Sequence, residues 1–139
     1  LDEARRLPGW TAALASDDAG TGVLIAEQAG TIVGVISFAP SRHDAFGGRT
    51  EIRHLYIAQS VQGQGVGRRL LGDILDRKDL HPGNGVALAV VRQNEKARLF
   101  YQKMGGMEIG RFIDPGPLWK SENIVVAWNH PSRTARAKR

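Results

Sequence analysis

Apolar residues recur along the chain in two rhythms, and the change of rhythm marks the elements. Residues 22–28 and 31–39 are short β-rich runs, with Val23, Leu24 and Ile25 in the first and Ile, Val and Phe in the second. Ala29-Gly30 between them reads as a tight hairpin turn. Residues 50–58 form a third such run after a polar loop over 40–49, so the spacing predicts an antiparallel meander. The period then becomes helical. Val66, Leu70, Leu71, Ile74 and Leu75 fall on one stripe, which predicts a helix over 65–77. After a Pro/Gly loop over 79–85, residues 86–91 are apolar throughout and read as a buried strand. A strand, a crossover helix and a strand imply one parallel pair. Ala97, Phe100, Tyr101 and Met104 give a second helical face, opened by Asn94 and stopped by Gly105-Gly106. Strands are predicted over 107–113 and 124–128, separated by a loop over 114–120 that contains Trp119. The opening residues 1–15 read as a helix on Leu1, Ala4, Arg5, Trp10, Ala13 and Leu14, interrupted at Pro8-Gly9, with a turn cluster over 16–20. The expected architecture is a single α/β domain over residues 1–130, built on a mixed, mostly antiparallel sheet flanked by helices.

Composition narrows the class without changing that picture. The chain has 139 residues, of which 42% are hydrophobic and 24% charged, enough for one domain with a core. No apolar run approaches the ~20 residues of a membrane span, and none near the start has the form of a secretory h-region. There is no cysteine, which excludes disulfides, thiolate metal sites and a Cys nucleophile and is compatible with a reducing cytoplasm. The net charge of +5 is concentrated at one end: Arg133, Arg136, Lys138 and Arg139 lie in residues 131–139 with no acid. Without those four, 15 basic residues face 14 acidic ones, so the body carries no broad nucleic-acid-binding bias. Residues 131–139 read as a basic, disordered tail, and neither a nucleic-acid nor a membrane partner is expected.

The chemistry centres on Gln62-Gly63-Gln64-Gly65-Val66-Gly67-Arg68-Arg69, between a strand pattern and a helix pattern. Glycines at alternate positions let the backbone turn sharply with its N–H groups exposed. The following helix begins with unpaired donors, which attract anions. A free-standing helix start favours Asp or Glu against the dipole, yet no acid occurs over residues 59–72, and two arginines do. A bound polyphosphate would supply the missing negative charge. The P-loop pattern fails for want of its Gly-Lys-Ser/Thr, and the dinucleotide pattern counted from Gly63 fails at Arg68. What remains is Gln-x-x-Gly-x-Gly, Gln62 through Gly67.

This loop, the run Glu51-Ile-Arg-His-Leu-Tyr-Ile57 before it, and Asn94-Glu-Lys-Ala-Arg-Leu-Phe-Tyr101 with Gly105-Gly106 after it resemble the GNAT family of N-acetyltransferases over residues 22–128. The resemblance implies the GNAT-like acyl-CoA N-acyltransferase fold, with a splayed parallel pair over 51–58 and 86–91, and transfer of acetyl from acetyl-CoA to a primary amine of a small molecule or peptide. It implies a monomer or homodimer. Two departures stand out. Met107 replaces the family's usual aromatic, and the usual first strand and first helix are absent, the opening helix resembling the family's second, so an N-terminally incomplete domain is expected.

By the same resemblance, Val61, Gln62, Gly63, Gln64, Gly65, Val66 and Gly67 hold the pyrophosphate through backbone N–H groups, with Arg68 or Arg69 adding charge. Leu55, Tyr56 and Ile57 lie beside the acetyl end, and a backbone N–H near Ile57 is the oxyanion donor. Asn94 bonds the cofactor arm or caps its helix, or does both. Tyr101 is the acid for the leaving thiolate, a phenol at ~10 against a thiol at ~8.5, though it also belongs to the apolar stripe. Glu51 is the candidate base, because a lysine-like amine is only about 0.04% neutral at pH 7, a deficit near 4.6 kcal/mol. Strand alternation puts Glu51, Arg53, Leu55 and Ile57 on one face, so Arg53 could instead tie up Glu51 in a structural pair. His54, whose imidazole type titrates nearer neutrality, is the rival base and is expected to point the other way with Tyr56. The family's peptide α-amine acetyltransferases often carry Glu on the fifth strand, in Leu-Glu-Val; here the run is Leu88-Ala89-Val90, which weakens that substrate class. The loops over 40–49, with His43 and Asp44, and 114–120 are expected to line the acceptor site.

Overall fold

The computed structural model describes residues 3–7, 10–18, 21–77, 84–117 and 120–129. Within them one sheet carries the strands in the order β1-β2-β3-β4-β5-β6-β8-β7. The strands are β1 (Glu3–Leu7), β2 (Trp10–Asp18), β3 (Thr21–Gln28), β4 (Thr31–Pro40), β5 (Thr50–Ile57), β6 (Gly85–Val91), β7 (Met107–Asp114) and β8 (Ser121–Asn129). Helix α1 (Val66–Asp76) connects β5 to β6, and α2 (Glu95–Lys103) connects β6 to β7. Every neighbouring pair is antiparallel except β5–β6. The expected meander, crossover and two-helix order are therefore present.

The opening segment is a correction. It forms strands rather than a helix, with Glu3 opposite Leu14 and Leu7 opposite Trp10 in β1–β2, and Thr11 opposite Glu27 in β2–β3. Its equivalence to the family's second helix falls with it. Pro8-Gly9, which lies outside the described residues, divides the segment into halves too short for stable helices. The neighbouring edge of β3 also needs partners for its backbone groups, and β2 supplies them. Strand β2 runs through Asp18, into the predicted turn cluster. The predicted loop over 40–49 contains a 3-10 turn, Asp44–Phe46, that buries Phe46. The basic tail, Trp119, and Pro82 and Gly83 of the 79–85 loop lie outside the described residues.

The main core lies between one face of the sheet and the helices. Leu24, Ile36, Phe38, Ile52, Val86, Leu88 and Val126 meet Val66, Leu70, Leu71 and Ile74 of α1, the stripe the period predicts. Helix α2 adds Ala97, Phe100, Tyr101 and Met104 as a partly buried face. It is anchored to β7 by Arg98, which makes two hydrogen bonds of 2.8 Å to the Glu108 carboxylate. The opposite face carries a smaller cluster, in which Phe46 covers Ala87, Val125 and Ala127.

Candidate active site

Strands β5 and β6 pair only at Thr50–Val86 and Glu51–Ala87. Beyond that point no pairing joins them, although β5 continues to Ile57 and β6 to Val91. This is the expected splay. Each strand stays paired on its other side, β5 with β4 and β6 with β8, so the opening is held by sheet rather than by loops.

A cavity of about 1010 Å³ lies beside the opening, lined by Leu55, Tyr56, Ile57, the run from Val61 to Arg68, Asn94, Lys96, Ala97 and Phe100. None of these lining residues is acidic, and Arg68 and Lys96 are cationic. Residues 61–68 bring their backbone to the cavity because Gly63 and Gly65 take φ of +85° and +84°, a region other residues enter at a cost. Gly65 in this conformation is also the N-cap of α1, and no side chain among the described residues caps that helix.

The amides of this loop divide into two sets. Those of Val61, Gln62 and Gln64 donate to the carbonyls of Ala58, Gln59 and Val61 at 3.0, 3.3 and 3.2 Å. Those three are internal to the loop, contrary to the expectation that all of residues 61–67 face a ligand. The amides of Gly63, Gly65, Val66, Gly67 and Arg68 make no hydrogen bond within the described residues. Five orphan donors at a helix N-terminus, beside a cavity without carboxylates, match a diphosphate in charge and in chemistry. The Gln62 side chain serves the loop, its amide donating to the Ile57 carbonyl at 3.2 Å. Arg69, the other candidate cation, pairs with Asp73 at 3.8 Å and is not among the lining residues, which leaves Arg68.

The Ala58 amide donates to Val33 of β4 at 2.8 Å. Because amides alternate sides along a strand, the Ile57 N–H is aimed away from β4, toward the opening. That is the place expected for an oxyanion donor. Asn94 caps α2, its Oδ1 accepting from the Ala97 amide at 3.2 Å, and it lines the cavity as well. Lys96, in the first turn of α2, was not singled out by the sequence; its place two residues after Asn94 is the signal that could have found it.

Tyr101 does not line the cavity; its neighbour Phe100 does. The Tyr101 ring stands edge-on to Phe100 and Trp128, with centroids 5.5 and 6.0 Å away. Burial pushes its phenol above the usual range, which keeps the proton on oxygen at neutral pH. Glu51 is 3.5 Å from Arg53, the pairing foreseen as its structural alternative.

The face assignment along β5 needs correcting. Ile52 pairs with Phe38 and His54 with Ser37, so Arg53 is an extra residue, a β-bulge. Alternation resets there. Leu55 and Ile57 join Ile52 on the helix-covered face, whereas His54 and Tyr56 share the opposite face with Glu51. Ser37 Oγ lies 2.7 Å from His54 Nδ1. In the 40–49 loop, the His43 ring packs against Phe112 at a 39° tilt, with centroids 4.5 Å apart, and its Nδ1 accepts from the Ala45 amide. That ring holds the loop against β7.

A parallel pair that parts beside a glycine loop of free amides is the arrangement that the resemblance to the GNAT family implies, and sequence comparison places the chain in that family. A family model described as acetyltransferase (GNAT) family matches residues 2–106, and the chain belongs to that family. It is 37% identical over 99 residues to the probable N-acetyltransferase Rv2775 of Mycobacterium tuberculosis, covering 71% of this chain and 54% of that protein. It is 29% identical over 108 residues to the L-amino acid N-acyltransferase MnaT of Escherichia coli, covering 69% and 62%. The chain thus spans between half and two thirds of the length of these two relatives. Among solved structures, a GNAT family acetyltransferase from Elizabethkingia anophelis with acetyl-CoA bound superposes with a TM-score of 0.65 at 19% identity, covering 80% of this chain and 77% of that one. A ribosomal-protein-alanine N-acetyltransferase from Brucella melitensis gives 0.65 at 21%, covering 80% and 70%. These structural likenesses establish the shared fold.

Proposed function

We propose that the protein is an acetyl-CoA-dependent N-acetyltransferase that moves an acetyl group to a primary amine of a small molecule or peptide by direct attack of the amine on the thioester. The observation that carries the proposal is the set of amides at Gly63, Gly65, Val66, Gly67 and Arg68 with no hydrogen bond among the described residues, in a loop that lines a cavity of about 1010 Å³ together with Leu55, Tyr56 and Ile57 of β5. Acetyl-CoA supplies an activated acyl group and a good leaving thiol. The chain's residues do the rest. The five amides and Arg68 hold the diphosphate, with Lys96 as a second cation. Asn94 orients the pantetheine arm, and the edge of β5 at Leu55–Ile57 receives the acyl end. The Ile57 amide stabilises the developing oxyanion, and Tyr101, kept protonated by burial, returns a proton to the thiolate. Glu51 belongs to the acceptor side, where its pairing with Arg53 restrains it. Residues 1–130 act as one domain, and the basic tail takes no part in the reaction.

MnaT's name points to L-amino acids as acceptors, and Ala89 stands where the family's peptide α-amine enzymes often carry Glu; both favour a small amine. The test pairs a calorimetric titration with acetyl-CoA and a thiol-release assay across L-amino acids, a dipeptide amine, Nα-acetyl-lysine amide and spermidine. Saturable binding with turnover on at least one amine supports the proposal. Binding without turnover on any of them would mark a cofactor-binding module instead, and no binding would remove the site assignment altogether.

A further inference from the structure

The bulge at Arg53 turns His54 onto the sheet face opposite the helix-covered one. The strands part just after Glu51–Ala87, so His54 on β5 and Ala89 on β6 flank the opening from the side away from the helices. From the helix side, Leu55 and Ile57 border the same opening. An amine meeting the thioester across the opening therefore arrives on the His54 side. His54 is exposed, and Ser37 Oγ at 2.7 Å fixes its Nδ1. If Nδ1–H donates to Ser37, Nε2 holds a lone pair.

We propose that His54, oriented by Ser37, is the base that deprotonates the acceptor ammonium, and that Glu51 is not. This rests on the acetyltransferase reading above and extends it to the acceptor side. Glu51 is compensated by Arg53, whose own Nη2 donates to the Pro40 carbonyl at 3.3 Å. Among the described residues His54 makes no ion pair, and Glu51, on the same face, is the one acid of β5. On this face β4 presents Val35, Ser37 and Ala39, and β6 presents Ala87 and Ala89. The 3-10 turn whose Phe46 covers Ala87 on this face carries Asp44, with the His43 ring tilted against Phe112.

The balance is as follows. The ammonium gives one proton to Nε2, and that proton leaves to water. The amine lone pair forms the C–N bond to the acyl carbon as the C–S bond breaks. The thiolate takes the Tyr101 hydroxyl proton, and the second N–H proton, shed as the amide forms, returns to the phenolate through solvent. The net change is ammonium plus thioester to amide, thiol and one proton.

Two measurements test the proposal. In the protein alone, a long-range 1H–15N spectrum should show Nδ1 of neutral His54 protonated and Nε2 bare; a proton on Nε2 would overturn it. With the panel amine turned over fastest among those with an ammonium pKa above about 9, log kcat/KM should rise with pH and then level off below pH 8, while over ~90% of the amine is still ammonium. Histidine is the side-chain type whose ordinary titration falls in that window. In His54→Gln the plateau should vanish, kcat/KM should climb about tenfold per pH unit, and kcat at pH 7 should fall about 100-fold with unchanged acetyl-CoA affinity. Added imidazole should restore part of the rate in His54→Ala. In Ser37→Ala the plateau should persist at a lower level, as a positioning role requires. A profile already flat from pH 5 that only Glu51→Gln converts to a slope would assign the base to Glu51 and refute the proposal. Turnover absent from the whole panel despite acetyl-CoA binding would instead remove the reading on which it rests.

Discussion

Substitution at Gly65 separates the charge of the proposed ligand from the shape of the loop. Gly65 has φ +84°, and a Cβ built there meets nothing within 4 Å. Gly65→Ala therefore adds backbone strain of about 1–2 kcal/mol and no clash. That cost falls on folding and is read as a lowered denaturation midpoint. Gly65→Asp carries a similar strain, since Asp tolerates this region comparatively well, and adds one negative charge at the mouth of the cradle. With roughly 6 Å between that carboxylate and a diphosphate of about two charges, at an effective dielectric near 40, the repulsion is about 3 kcal/mol, or about 100-fold in Kd. Calorimetry of coenzyme A binding to the two variants isolates this term, because their strain largely cancels. Raising salt from about 0.05 to about 0.5 M shortens the screening length to under about 5 Å and should close much of the gap. Pantetheine, which lacks the diphosphate, should bind the Ala and Asp variants alike. Equal affinity of the two variants for coenzyme A at low salt would refute the placement of a diphosphate at these amides.

Other outcomes follow from the packing and the charges. Tyr101→Phe should lower kcat by about 100-fold while leaving acetyl-CoA affinity unchanged, by steady-state kinetics beside calorimetry; full activity would transfer the proton to water. Leu70 is fully buried beneath the sheet, so Leu70→Ala should cost about 2–5 kcal/mol, read from the urea midpoint. The Arg98 guanidinium holds the Glu108 carboxyl below the usual carboxylate range. A depressed carboxylate stabilises the fold above its unfolded pKa and loses that contribution as pH falls through the folded value. The melting-temperature gap between wild type and Glu108→Gln should therefore be present at pH 7 and shrink on acidification below about pH 4. A gap that stayed constant with pH would rule out the pairing as its source.

The chain shows its organisation unevenly. Helix α1 was legible because Val66, Leu70, Leu71 and Ile74 repeat at helical spacing under one sheet face, and the glycine loop because Gly63 and Gly65 sit where the backbone needs positive φ. Both are local. The opening strands were not legible, since Ala12, Ala13 and Ala15 favour a helix in isolation and only their pairing with β1 and β3 makes them strand. The bulge at Arg53 was hidden for a similar reason. Alternation assumes an unbroken pleat, and the break is visible only against β4, where Ser37 and Phe38 meet His54 and Ile52. One residue out of step moved His54 from the rival of Glu51 on another face to its neighbour on the same one. Tyr101 shows the limit of a motif, because its place in Asn94…Tyr101 was plain while its absence from the cavity lining, with its ring edge-on to Phe100 and Trp128, depends on how α2 packs.

The most direct test is an amide-resolved NMR titration with coenzyme A. Bound diphosphate should shift the N–H resonances of Gly63, Gly65, Val66, Gly67 and Arg68 strongly and slow their hydrogen exchange. The amides of Val61, Gln62 and Gln64, already bonded within the loop, should move far less. Saturable binding that leaves those five resonances in place would contradict the account.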